Sequence, residues 1–295
     1  INDSLRNALP AAYHGQAQVI KLENKDLSVE LTTKGAHPVS AWLKAYKTSK
    51  GGPLYIFNGK GNELSAVLPV NNGATSTADL FYTATEKTEP NGDKSVDLYA
   101  DMGQGKGVHI KYSLPQEGYM MNVSLTLDGM PANNLAFNWQ THPLHTEKDI
   151  TTERNNTQAY YRFRNEDHDY FSFIRKDKET LENSAQWLGL RLQYFSTAII
   201  GDNVNLNKVN IAGNTKLADS NIIAENKNTF EVVATAAGNA PLNFRWYIGP
   251  NHYKTLRSYK LGLDEMVPLG YGIMFFVKYI NMWIIIPIFN TLSGF

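Results

Sequence analysis

Residues 80–100 read LFYTATEKTEPNGDKSVDLYA, and this stretch decides the fold class. Two arms, Leu80 to Thr85 and Ser95 to Ala100, alternate apolar and polar residues around Asn91-Gly92, a pair that accepts the positive φ of a tight hairpin turn. The same period of two recurs along the chain. Leu27, Val29 and Leu31 alternate with Ser28, Glu30 and Thr32, and Val96, Leu98 and Ala100 follow the same pattern. So do Ile110, Tyr112 and Leu114, then Val123, Leu125 and Leu127, and late in the chain Phe244, Trp246 and Ile248. Each pattern is that of a half-buried strand. Asn58-Gly59 and Asn72-Gly73 supply further turns, and the glycine-rich run Gly103 to Gly107 reads as a hairpin loop because a strand, not a helix, follows it. Short strands evenly punctuated by Gly, Asn and Pro predict a mostly β, large antiparallel sandwich rather than βαβ units.

Composition narrows the function classes. The 295 residues contain no cysteine, which excludes a thiol nucleophile, a disulfide framework and Cys-based zinc sites. Lys and Arg total 28 against 28 Asp and Glu, without a block of like charge, so no nucleic-acid partner is expected. Ile1 to Gln18 carries no charged stretch followed by an apolar one and does not read as a signal peptide. Nucleotide, dinucleotide, zincin and serine-hydrolase motifs are all missing from the sequence. No cofactor, metal or catalytic residue is expected. The tightest histidine pair, His142 and His145, reads as a solvated turn after the strand that contains Trp139, and the acidic stretch around His168 reads as a wet loop.

Two segments stand out as candidate contact surfaces. Tyr160, Tyr161, Arg162, Phe163 and Arg164 combine aromatic rings with guanidinium groups, the composition of many partner surfaces. In WLGLRLQYF, Trp187 to Phe195, the expectation is a buried face of Leu188, Leu190, Leu192 and Tyr194 with Arg191 and Gln193 wet on the other.

Composition changes near Tyr253. Tyr253 to Met266 predicts a short amphipathic helix, and Val267 to Phe295 carries a single charge, Lys278. Pro268, Asn281, Pro287 and Asn290 interrupt the apolar run, which argues against a spanning helix. A helix lying flat in a membrane interface fits, with Tyr271, Phe275, Phe276, Lys278, Tyr279 and Trp283 as the interfacial set. A buried core helix is the other reading. The chain thus divides into a β domain, 1–252, and a C-terminal amphipathic and interfacial segment, 253–295.

The run FRWYIGPNHYKTLRSYKLG at Phe244 to Gly262, with the apolar tail after it, resembles the junction between the periplasmic domain and the interfacial helix of YidC membrane protein insertases. Three other stretches are similar to that family in the same order: VELTTKGAHPVSAWLKAYKT from Val29, PLYIFNGKGNEL from Pro53 and SAQWLGLRLQYFSTAII from Ser184. The tail wording looks most like the Bacteroidetes branch. The resemblance implies a β-supersandwich like galactose-mutarotase-like domains, exposed to the periplasm of a bacterial inner membrane. It implies a non-enzymatic binding, chaperone or docking module ahead of an absent transmembrane core. The implied partners are nascent inner-membrane proteins, components of the Sec translocon and, through the C-terminal segment, the lipid bilayer surface. The competing expectation is a carbohydrate-binding or mutarotase-like carbohydrate-active domain.

Overall fold

The computed structural model describes residues 10–70, 73–132, 134–164, 167–234, 240–268, 283 and 285–288. By contacts the chain divides into two compact units, 1–250 and 251–295.

Unit 1 is built of antiparallel strands. The first sheet takes its strands in sequence order, β1 (Val19–Glu23), β2 (Leu27–Thr32), β3 (His37–Lys47) and β4 (Pro53–Asn58). Next along the chain come β5 (Glu63–Val70), β6 (Gly73–Ser76), β7 (Thr83–Thr88), β8 (Lys94–Gly103), β9 (Lys106–Leu114), β10 (Met120–Asp128) and β11 (Leu135–Thr141). A short helix, α1 (Ile150–Asn155), precedes β12 (Gln158–Phe163), β13 (His168–Ser172) and β14 (Lys178–Thr180). The remaining strands are β15 (Ala185–Arg191), β16 (Phe195–Gly201), β17 (Val204–Asn214), β18 (Glu225–Ala234) and β19 (Leu242–Pro250). These form one sheet ordered β6-β5-β11-β18-β17-β15-β16-β19-β10-β9-β8-β7, with β12 added to β15, β13 to β12 and β14 to β17.

That sheet curls so that distant strands face each other. Trp139 of β11 meets Trp246 of β19 edge-on with centroids 6.2 Å apart, although many strands separate them in the sheet order. The first sheet closes over the same centre, where Phe57 of β4 stacks on Trp246 at 6.4 Å. Phe137 adds contacts to Phe230 and Phe244. The alternating residues predicted to be buried are buried: Leu27, Val29 and Leu31, Leu98 and Ala100, Tyr112 and Leu114, Phe244, Trp246 and Ile248 all line this core. The mostly β antiparallel sandwich is therefore the observed architecture.

The hairpin around Asn91-Gly92 forms as expected, pairing Thr83 with Tyr99 through Thr88 with Lys94, and Gly92 has φ of 86°. One detail differs. All six residues of β7 are exposed, because it is an edge strand with nothing packed on either face; Leu80 and Tyr82, just before it, carry the burial instead. Between β8 and β9, Gln104 and Gly105 both have positive φ, the geometry of a two-residue hairpin turn, as the glycine-rich run predicted.

The Trp187 to Phe195 block departs from its expected one-wet-face pattern. Trp187 and Leu190 have no exposed surface, and Arg191 is only 7 % exposed, so β15 is buried on both faces. Arg191 is held there by donating to the Gln158 side-chain oxygen at 2.7 Å. Tyr194 is exposed, since the chain has left β15 and turns there towards β16.

In unit 2, α2 (Tyr253–Ser258) and a 3₁₀ turn, Leu263–Met266, replace the single amphipathic helix expected over 253–266. Lys260 and Gly262 take left-handed φ values of 56° and 73° and break the helix between them. Leu256, Leu263 and Met266 are buried. Residues 283 and 285–288 are helical. Among the described residues no helix is long and apolar enough to cross a membrane.

Candidate functional site

An open cleft of about 480 Å³ lies where β11, β17 and β18 end together. Strand register builds it. Glu63 pairs with Gln140, Gln140 with Lys227, Lys227 with Ala212 and Ala212 with Lys178, so one transverse row across five strands presents its side chains on a single face. Two residues along each strand the next row on that face follows: Ser65, Asn138, Thr229, Asn210 and Thr180. This second row is wholly uncharged. Thr180 donates to Asn210 Oδ1 at 2.7 Å, and Asn138 donates to Glu63 at 3.2 Å.

His142 stands at the cleft end of β11. Its backbone N–H and the Thr141 hydroxyl both donate to Asn62 Oδ1, at 3.0 Å and 3.1 Å, which fixes the chain as it leaves the strand. Gly61, with φ of 87°, lies against the ring so closely that a Cβ there would collide with it. Burial pushes the His142 pKa below its ordinary value, an effect that Glu225 opposes. The ring is thus neutral near pH 7, and its Nε2 lies 3.1 Å from the Gln140 amide nitrogen, placed to accept from it. Asp177 and Glu225 balance Lys178 and Lys227 within the same lining.

His145 does not share that site. Its Nδ1 contacts the carboxylate of Glu153, a residue of α1 that is only 1 % exposed. Glu153 also accepts from the Thr146 N–H and hydroxyl, both at 3.0 Å, and from the Glu147 N–H at 3.2 Å. The segment after β11 is consequently an anchored loop organised around a buried carboxylate, not the solvated turn expected. Among the described residues no group of three His, Asp or Glu side chains converges to hold a metal ion.

The aromatic candidates lie on β12 and its continuation. Tyr160 and Tyr161 are buried at 1 % and 3 % exposure, and Phe163 packs half-buried on the core. Tyr160 stacks on Tyr170 of β13 with centroids 4.8 Å apart and planes 12° apart. Arg164 donates to Asn205 Oδ1 at 3.0 Å. The exposed aromatic of this hairpin is Tyr170. Of the interfacial set, Trp283 is exposed, whereas Tyr271, Phe275, Phe276, Lys278 and Tyr279 lie outside the described residues.

Sequence reading singled out His142 but none of its cleft neighbours. Gln140, Lys178, Ala212, Asn214, Glu225 and Lys227 come from four strands far apart in the chain, and no spacing links them before the register is known.

Comparison with known proteins sets this architecture in context. A galactose mutarotase-like protein from Lactobacillus casei superposes with a TM-score of 0.50 over 78 % of this chain and 100 % of that one, at 11 % identity. An α-N-acetylgalactosaminidase from Bifidobacterium bifidum superposes with a TM-score of 0.53 over 85 % of this chain and 39 % of that one, at 8 % identity. These likenesses are of fold alone. In sequence, the chain is 26 % identical to the membrane protein insertase YidC of Phocaeicola vulgatus over 96 % of its own length and 46 % of the relative's. It is 28 % identical to the YidC of Amoebophilus asiaticus over 96 % of its length and 49 % of that protein. The chain thus spans about half the length of the curated relatives it matches. Residues 19–286 match the family described as the YidC periplasmic domain, and the chain belongs to that family.

Proposed function

We propose that this chain is the outer, periplasm-exposed module of a bacterial inner-membrane protein insertase, and that it binds rather than catalyses. The observation that carries the reading is the family match over residues 19–286, joined to relatives named membrane protein insertase at similar coverage. On this reading the module docks or chaperones nascent inner-membrane proteins and contacts components of the Sec translocon. The division at 1–252 and 253–295 separates a binding domain from a segment that rests on the bilayer surface, with Tyr271, Phe275, Phe276, Lys278, Tyr279 and Trp283 at headgroup level. The aromatic and Arg positions from Tyr160 to Arg164 shape a partner surface through the exposed edge of their hairpin.

Because the chain contains no cysteine, its exposure can be read with a single introduced thiol. Thr85→Cys, on the fully exposed strand β7, is placed in a chimera in which this chain replaces the matching segment of the Bacteroides fragilis relative. A membrane-impermeant maleimide is expected to label it in intact spheroplasts. Labelling only after lysis would contradict the periplasmic reading.

A further inference from the structure

We propose that the cleft at the ends of β11, β17 and β18 is a binding site for the main chain of an extended, uncharged polypeptide segment. The inference rests on reading the domain as the outer module of an insertase.

Charge is the first argument. Asp177 and Lys178 lie beside each other in sequence on one side, Glu225 and Lys227 two apart on the other, so the lining sums to zero: two acids against two bases, with His142 neutral. A lone anion would meet two carboxylates and a lone cation two ammonium groups. The favoured occupant is neutral but dense in donors and acceptors. Side-chain amides meet that description from the protein side, since each offers a carbonyl acceptor and N–H donors in the geometry of a peptide group. Gln140 and Asn214 both line the cleft, on the face that carries Lys227 and Ala212.

Shape gives the second argument. Ala212 and Gly213 make a low floor, and the uncharged row Asn138, Thr229, Asn210 and Thr180 continues the surface on the same face across four strands. Strands lie roughly 4.8 Å apart, so this lane is about 14 Å long, the reach of roughly four extended residues at about 3.3 Å each. A polyhydroxy ligand would use the same donors and acceptors. Its apolar ring faces, however, call for a broad aromatic platform, and no Trp, Tyr or Phe side chain is among those lining the cleft. Recognition through the main chain also suits partners that share no sequence.

The test is fluorescence anisotropy on the whole chain with a labelled, uncharged (Ser-Ala)₅ peptide. Its counterpart N-methylated at alternate residues, and maltoheptaose as competitor, form the other arms. Saturable binding is expected, lost on N-methylation and indifferent to maltoheptaose. Ala212→Arg, which fills the floor, is expected to weaken it at least tenfold, and Gln140→Ala with Asn214→Ala to do the same with a smaller demand on folding. Circular dichroism and the unfolding midpoint establish that each variant is folded. Absence of binding, equal binding of the methylated peptide, or displacement by maltoheptaose would overturn the proposal. The maleimide result in spheroplasts is independent of all three, so failure here and failure of the insertase reading are distinguishable.

Discussion

The Tyr112 hydroxyl of β9 donates to the carbonyl of Ala36 at 2.8 Å, tying the large sheet to the β2–β3 turn of the small one. Both residues are buried, and Ala36 holds a positive φ of 51°, so the bond secures a turn that is strained for an alanine. Burial pushes the Tyr112 pKa well up, which keeps the phenol a donor throughout the physiological range. Tyr112→Phe keeps the ring and removes only the hydroxyl. It is expected to cost about 1–3 kcal/mol, the usual consequence of leaving a buried carbonyl without a donor. Urea denaturation followed by tryptophan fluorescence measures it; an unchanged midpoint would mean that the turn is held by its other contacts.

Glu153 gathers three protein donors and the His145 ring inside the loop between β11 and β12. Glu153→Ala strips the acceptors from all of them at once and is expected to cost on the order of 3 kcal/mol. Glu153→Gln keeps one carbonyl oxygen in place and is expected to cost clearly less. Equal losses would show that charge, not acceptor geometry, holds the loop.

Burial depresses the pKa of His37 below its ordinary value of 6.5, and the backbone carbonyls of Gly35 and Asn62 and the Glu63 carboxylate only partly oppose this. The unfolded chain therefore takes up a proton at this site more readily than the folded one. As pH falls below about 6.5, stability falls with it, until the folded-state pKa is reached. His142 adds a change of the same sign. His37→Gln is expected to flatten the dependence of the urea midpoint between pH 7 and pH 5. A slope unchanged by the substitution would assign the acid sensitivity to other groups.

Leu190 is fully buried and Leu192 nearly so, and truncating either to Ala is expected to cost about 2–5 kcal/mol. Arg191→Ala is expected to cost more than a surface substitution, because its half-buried partner Gln158 would lose a charged donor. Chemical denaturation ranks the three. A neutral Arg191→Ala would contradict the buried placement of its guanidinium.

Strands whose buried residues alternate strictly were legible in the sequence. Val96, Leu98 and Ala100 declared one face, and the Gln104-Gly105 turn declared where the chain reverses. Where both faces are buried, as around Trp187 and Arg191, a period of two carries no information about which side is wet. The edge strand fails in another way: the arm expected over Leu80 to Thr85 has its buried residues, Leu80 and Tyr82, ahead of β7, whose own residues are all exposed. The cleft was invisible because its members meet only through register. Gln140 and Lys227 are 87 residues apart (227 − 140) and become neighbours only when β11 pairs with β18. His145 looked like part of a solvated pair because nothing in His-Pro-Leu-His reveals that Glu153 folds back beneath it from α1.

The central claim, that this domain contacts incoming membrane proteins through its β face, is tested most directly by cross-linking inside the insertase. The Bacteroides fragilis chimera carries a photoreactive amino acid at Gln140 or at Lys227, with Glu86 on β7 as the comparison position, and is irradiated while a ribosome-stalled inner-membrane protein is partly inserted. Adducts to the stalled chain are expected from Gln140 and Lys227, and few from Glu86. Adducts absent from all three positions, while positions in the chimera's membrane-embedded part cross-link to the same stalled chain, would contradict that claim.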